Sequence, residues 1–156
     1  MKSRTSCMIT ITLFAALAAQ LSFPRSANVE ARVTTYTGTL ADGATYLIEV
    51  PQIWSGTLLL WSHGYQLPGG PPVAEVSVDP VTRKYLLTHG YALAGSSYAT
   101  TGWAIHEALS DQIAVLDTFQ LLVGQPTRTI AWGQSLGGMV TAGLVIGRAD
   151  RENRDS

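Results

Sequence analysis

Between one apolar run, Thr129-Ile130-Ala131-Trp132, and a second that begins at Leu136 stands the pentapeptide Gly133-Gln134-Ser135-Leu136-Gly137. A G-x-S-x-G in that setting constrains the chain more than any other feature, because it demands a strand, a sharp turn and a helix in immediate succession. Gly133 and Gly137 leave room where side chains would collide with neighbouring backbone, so the turn thrusts Ser135 outward. Ser135 then stands at a helix start, where the N–H of Leu136 and the positive end of the helix face any oxygen that gains charge nearby. A serine so placed is a candidate nucleophile once a base and an oxyanion site are supplied.

A second landmark lies upstream. Thr57-Leu58-Leu59-Leu60-Trp61 is a continuous apolar run of the kind buried on both faces of a sheet, and it ends in Ser62-His63-Gly64-Tyr65. The backbone N–H of Tyr65 is the expected second oxyanion donor, and the His63 side chain is expected to brace the loop.

The remaining elements follow from pattern and punctuation. Val33 to Val50 alternates around Asp42-Gly43, a turn dipeptide, and predicts an N-terminal β-hairpin. Asp79-Pro80 opens a helix that Gly90 closes, and Tyr91 to Ser97 is the next strand. A longer helix carries Leu109, Ile113, Leu116 and either Gln120 or Leu121 near helical spacing and ends at Gly124 and Pro126. Thr129 to Trp132 is a third short buried strand, and a helix runs from Leu136 to about Ile146. Strands alternating with helices at this spacing indicate βαβ units and a mainly parallel sheet, with His63, Ser97 and Ser135 at the carboxyl ends of strands.

Composition narrows the function. With 46% hydrophobic and 13% charged residues and a net charge of -1, the chain is globular and has no electrostatic footprint for nucleic acid. No metal-ligand spacing is present, and Gly69-Gly70 and Gly137-Gly138 lack the lysine of a phosphate loop and the spacing of a dinucleotide site. His89 is expected to cap its helix and His106 to lie on the surface. Asp111 and Asp117 are expected as solvated helix charges.

The chain is expected to divide into three parts: a signal peptide over 1–31, one domain over 32–147, and a disordered charged tail over 148–156. Lys2 and Arg4 precede the apolar stretch Met8 to Ala19, which is short for a membrane span, so export to the periplasm or cell exterior is expected. Ala16-Leu17-Ala18 and Val29-Glu30-Ala31 both offer cleavage patterns, and an uncleaved anchor is the competing reading. Cys7, the only cysteine, falls inside this leader, so no disulfide or cysteine chemistry is expected beyond it.

In order along the chain, the strand ending in His63-Gly64, the strand from Tyr91 to Ser97 and the Gly133–Gly137 elbow resemble the N-terminal part of the α/β-hydrolase superfamily. The wording of Gly90-Tyr91-Ala92-Leu93-Ala94-Gly95-Ser96-Ser97-Tyr98 and of Trp132-Gly133-Gln134-Ser135-Leu136-Gly137-Gly138 looks like secreted bacterial esterases or serine peptidases. The resemblance covers about Val33 to Ile146. It implies Ser135 as nucleophile, Leu136 and Tyr65 as backbone oxyanion donors, Gly133 and Gly137 as elbow glycines, a small ester or peptide substrate, and no cofactor. The superfamily's acid and histidine follow the serine on later strands, whereas here only Asp150, Glu152 and Asp155 follow, and none of them is assigned.

The expectation is therefore a secreted serine hydrolase truncated after the elbow helix and weak or inactive alone. The alternative is a non-catalytic binding protein, or a half-fold completed by a partner chain. In the superfamily's strand order the elbow strand pairs with a later one, so Thr129–Trp132 is expected to form an apolar edge that favours self-association and poor solubility.

Overall fold

The computed structural model describes residues 32–152; the expected leader and residues 153–156 lie outside the described residues. Five strands and three helices follow in the order β1 (Val33–Thr39), β2 (Thr45–Pro51), β3 (Thr57–Ser62), α1 (Pro80–Thr88), β4 (Ala92–Ser96), α2 (Ile105–Leu122), β5 (Arg128–Gly133) and α3 (Leu136–Glu152).

The strands form one sheet in the order β1-β2-β4-β3-β5. Its β4-β3-β5 half is parallel, and the β1-β2 hairpin joins it antiparallel through β4, so the sheet is mixed. The hairpin closes through Leu40 N–H on the Ala44 carbonyl at 2.7 Å, and Asp42 Oδ1 accepts the Ala44 N–H at 3.1 Å.

Alternation along the central strands sorts the core onto two faces. Ile48, Leu58, Leu60, Ala92 and Ala94 face α2 and meet Val115 and Phe119. Leu59 and Leu93 face the other way, onto Leu87 of α1 and Val76. Ala92 and Ala94 are small enough to let α2 lie close, and burying a ring such as Phe119 there contributes roughly 2 kcal/mol.

Helix α1 begins as its sequence demands: Asp79 Oδ1 accepts N–H groups from Val81 at 2.7 Å and Thr82 at 2.9 Å. It ends at His89, whose backbone N–H donates to the Tyr85 carbonyl and whose Nδ1 stands 2.7 Å from the same oxygen. Arg83 on α1 also forms a two-pronged ion pair with the buried Glu49 of β2, its Nε donating to Oε2 at 2.5 Å. That pair ties the outer helix to the sheet.

Two expectations about helices are corrected. The stripe of α2 that enters the core is Ala108, Gln112, Val115 and Phe119 with Asp111 beside it, whereas Leu121 is 85% exposed. Leu109 and Leu116 pack only at the margins, because the helix starts at Ile105 and turns its small and branched residues toward the close-set strands. Helix α3 also continues beyond Ile146 and through the change of composition at Gly147 to Glu152, since arginine, glutamate and alanine are good helix formers.

Candidate active site

The carboxyl ends of β3 and β5 meet at Ser62 and Gly133, which are partners in the parallel register. Gln134 N–H crosses back to the Ser62 carbonyl at 3.3 Å, and α3 starts at once, with Gly137 N–H on the Gln134 carbonyl at 2.9 Å and Gly138 N–H on that of Ser135 at 3.0 Å. Within this turn Ser135 takes φ of 56°, the left-handed region that side chains disfavour. A Cβ at Gly133 would stand 2.5 Å from the Gly137 carbonyl oxygen and 2.7 Å from that of Ser62, and one at Gly137 would collide with the Ser62 and His63 carbonyls. The backbone packing that bends the chain sharply at Ser135 thus admits only glycine on either side.

Ser135 is exposed and opens on a cleft of about 320 Å³. The cleft is walled by the 63–66 segment, Gln134 and Glu75. Gly64 lies against the serine, since a Cβ on it would stand 3.5 Å from that of Ser135. The N–H groups of Tyr65 and Leu136 donate to no acceptor among the described residues. Both are therefore free to bind an oxyanion, one from the loop after β3 and one from the start of α3.

His63 is 3% exposed and lies flat against Tyr98, with ring centroids 3.8 Å apart. Its Nδ1 donates to the Gly64 carbonyl at 2.6 Å, and its Nε2 is buried without a partner. This geometry suits a brace for the turn that presents Gly64 and Tyr65. His89 ends α1 and His106 lies exposed on the first turn of α2, and neither lines the cleft.

No family model matches the chain. An o-phthalyl amidase of Xanthobacter agilis is 30% identical over 117 residues, which cover 73% of this chain and 24% of that protein. The chain thus spans about a quarter of the length of the curated relative it matches. Among solved structures, the esterase Pf2001 of Pyrococcus furiosus superposes with a TM-score of 0.54 at 19% identity, over 74% of this chain and 45% of that one. Prolyl oligopeptidase B of Galerina marginata superposes with a TM-score of 0.51 at 16% identity, over 75% of this chain and 19% of that one. Both neighbours are α/β-hydrolases.

The chain has the α/β-hydrolase fold.

Beneath its strand-to-helix turn, the chain holds a buried polar group. Tyr98, at φ of 58°, donates its hydroxyl to the His63 carbonyl at 3.1 Å, and its N–H donates to Ser96 Oγ at 2.8 Å. Burial pushes its phenol up to about 12, so it stays a donor. Gln112 Nε2 donates to the Trp61 carbonyl at 2.5 Å and to Ser62 Oγ at 3.0 Å. Together they hold the last residues of β3, from which the 63–66 segment springs.

Asp111 corrects the expectation of a solvated charge, being 1% exposed. Its Oδ2 accepts the Ala99 N–H at 2.8 Å, and its Oδ1 is buried without a hydrogen-bond partner. Burial first, and then the Asp42 carboxylate at the hairpin turn, push the Asp111 carboxyl up to about 7. Asp117 is exposed, as expected.

Tyr98, Gln112, Asp111 and Glu75 escaped the sequence reading. Asp111 and Gln112 were within reach of it, because they fall on the stripe of Ala108, Val115 and Phe119, where a polar residue must find partners.

Proposed function

We propose that the chain is the nucleophile-bearing part of a serine hydrolase that cleaves an ester or amide through an acyl-serine intermediate. The carrying observation is the left-handed backbone of Ser135 at the tip of β5, beside unpaired N–H groups of Leu136 and Tyr65. A strained serine costs about 1–3 kcal/mol, and its placement where carbonyl carbon and oxyanion would both be met is a functional arrangement. In this reading Ser135 Oγ adds to the substrate carbonyl as its proton passes to a base, and the oxyanion is held by the two N–H groups. The base returns the proton to the departing alcohol or amine as the acyl-serine forms, and water then releases the acid and frees Ser135.

None of the three histidines is assigned as base: His63 is spent on its turn, and His89 and His106 lie off the cleft. The base and its acid are proposed to come from outside these 156 residues, in keeping with the small share of the amidase that the chain spans. The exposed Ile130 of β5 and Met139, Val145 and Ile146 of α3 favour a second form of this reading, in which another polypeptide covers that flank and supplies the base. Export is proposed on the Lys2–Ala19 leader, and mass spectrometry of the mature N-terminus would check it.

A fluorophosphonate probe tests the central step. Modification of Ser135 by the full-length product of the intact locus, or by this chain with its partner, and not by Ser135→Ala, is the expected result. Absence of modification in both settings would remove the hydrolase reading.

A further inference from the structure

The wall of the cleft opposite the serine is organised by one residue, Gln66. Its side chain donates Nε2–H to the Val73 carbonyl at 3.1 Å and accepts the Val73 N–H at 3.4 Å, which fastens the 73–75 segment to the 65–66 segment. Its carbonyl accepts the Gly102 N–H at 2.9 Å, which fixes the loop carrying Trp103. Glu75 is held from beneath, because its backbone lies on Gly95 of β4 so closely that any Cβ there would collide with it.

Tyr65 and Glu75 thereby line one cleft, and Trp103 joins it through Tyr65. Tyr65 and Trp103 meet edge to face with centroids 5.8 Å apart, and the Trp103 ring is 74% exposed. An indole left that open, paired with a second ring, is a surface awaiting a partner. Glu75 lines the same cleft and makes no hydrogen bond or ion pair among the described residues. Its charge also reaches the Tyr98 hydroxyl under the cleft floor, adding to the burial that chiefly raises that phenol.

We propose that this rim selects substrates carrying an alkylammonium or similar organic cation, held between the Glu75 carboxylate and the Tyr65–Trp103 rings. The inference rests on the hydrolase reading and names its substrate class. A cation gains from both the carboxylate and the ring faces, whereas a neutral group of equal size gains only from the rings and an anion is repelled.

The test is titration of the 156-residue protein with benzyltrimethylammonium, benzyl alcohol and benzoate, following the Trp103 indole N–H by NMR. The cation is expected to bind about fivefold more tightly than the alcohol, with benzoate weakest, and Glu75→Gln to cut the cation preference about three- to fivefold. Equal binding of cation and alcohol, or a preference unchanged in Glu75→Gln, would overturn the proposal. Fluorophosphonate labelling of Ser135 separates the two readings. Labelling, in either setting given above, without cation preference sinks only this inference, and cation preference with labelling in neither setting sustains the rim while sinking the hydrolase.

Discussion

Tyr98 grips His63 twice, its ring stacked 3.8 Å from the imidazole and its hydroxyl bonded to the His63 carbonyl at 3.1 Å. The phenol therefore holds the loop from which Gly64 and Tyr65 reach the serine. Tyr98→Phe keeps the stack and leaves the carbonyl without that donor, and it is expected to cost about 1 kcal/mol in urea denaturation. Unchanged stability would place the grip in the ring alone.

Asp111 gives stability a pH slope. With its carboxyl pushed up to about 7 by burial and by Asp42, from an ordinary 3.8, the folded chain keeps a proton that the unfolded chain has lost. The native state binds the extra proton between about pH 4 and 7, so stability falls as pH rises through that window. Between pH 5 and pH 8 the loss is expected to be about 1–2 kcal/mol after allowance for solvent at Asp42. Asp111→Asn, which still accepts the Ala99 N–H and can donate to Asp42, should flatten the slope. Parallel slopes in the two proteins would show that the proton sits elsewhere.

The Glu49–Arg83 pair should respond unequally to its two truncations. Arg83→Ala strands a buried carboxylate and is expected to cost about 2–3 kcal/mol, whereas Glu49→Gln leaves a guanidinium whose side chain, 42% exposed, can turn to water at a cost of about 1 kcal/mol. Thermal midpoints of both variants decide it, and equal shifts would mean that the pair is worth no more than a surface bridge.

Strand β5 is the outermost strand of the described sheet, and Ile130 on it is exposed. Ile130→Lys should lower self-association, read as a fall in weight-average mass by sedimentation velocity, because a charge on an open edge resists strand pairing. An unchanged mass distribution would remove the expected edge association.

Ser135→Gly should abolish phosphonate labelling and raise stability by about 1 kcal/mol, because glycine tolerates the φ of 56° that serine resists. A loss of stability would show that the serine side chain makes compensating contacts.

The elbow was legible in the sequence because its causes are local: two glycines, a serine and the apolar runs around them. The hairpin, the Asp79 cap and the three parallel strands were legible for the same reason. Asp111 was misjudged because charge on a helix ordinarily means solvent, and only the loop after β4, which buries it and donates the Ala99 N–H, reverses that rule. Glu75 could not be placed from pattern at all. Its position depends on Gln66 and Gly95 acting across a loop rich in proline and glycine, and no periodicity records such a contact. The run of α3 past Gly147 shows a smaller lesson, that a shift in charge marks a change of surroundings more surely than the end of a helix.

A chain with no use for a hydroxyl at the tip of β5 would be better served by glycine there, and a single-base change converts some serine codons to glycine. Random drift therefore runs downhill away from serine at this position. If the proposed chemistry holds, serine at 135 is a residue that selection must retain, and descendants released from that requirement should lose it early while the sheet beneath persists.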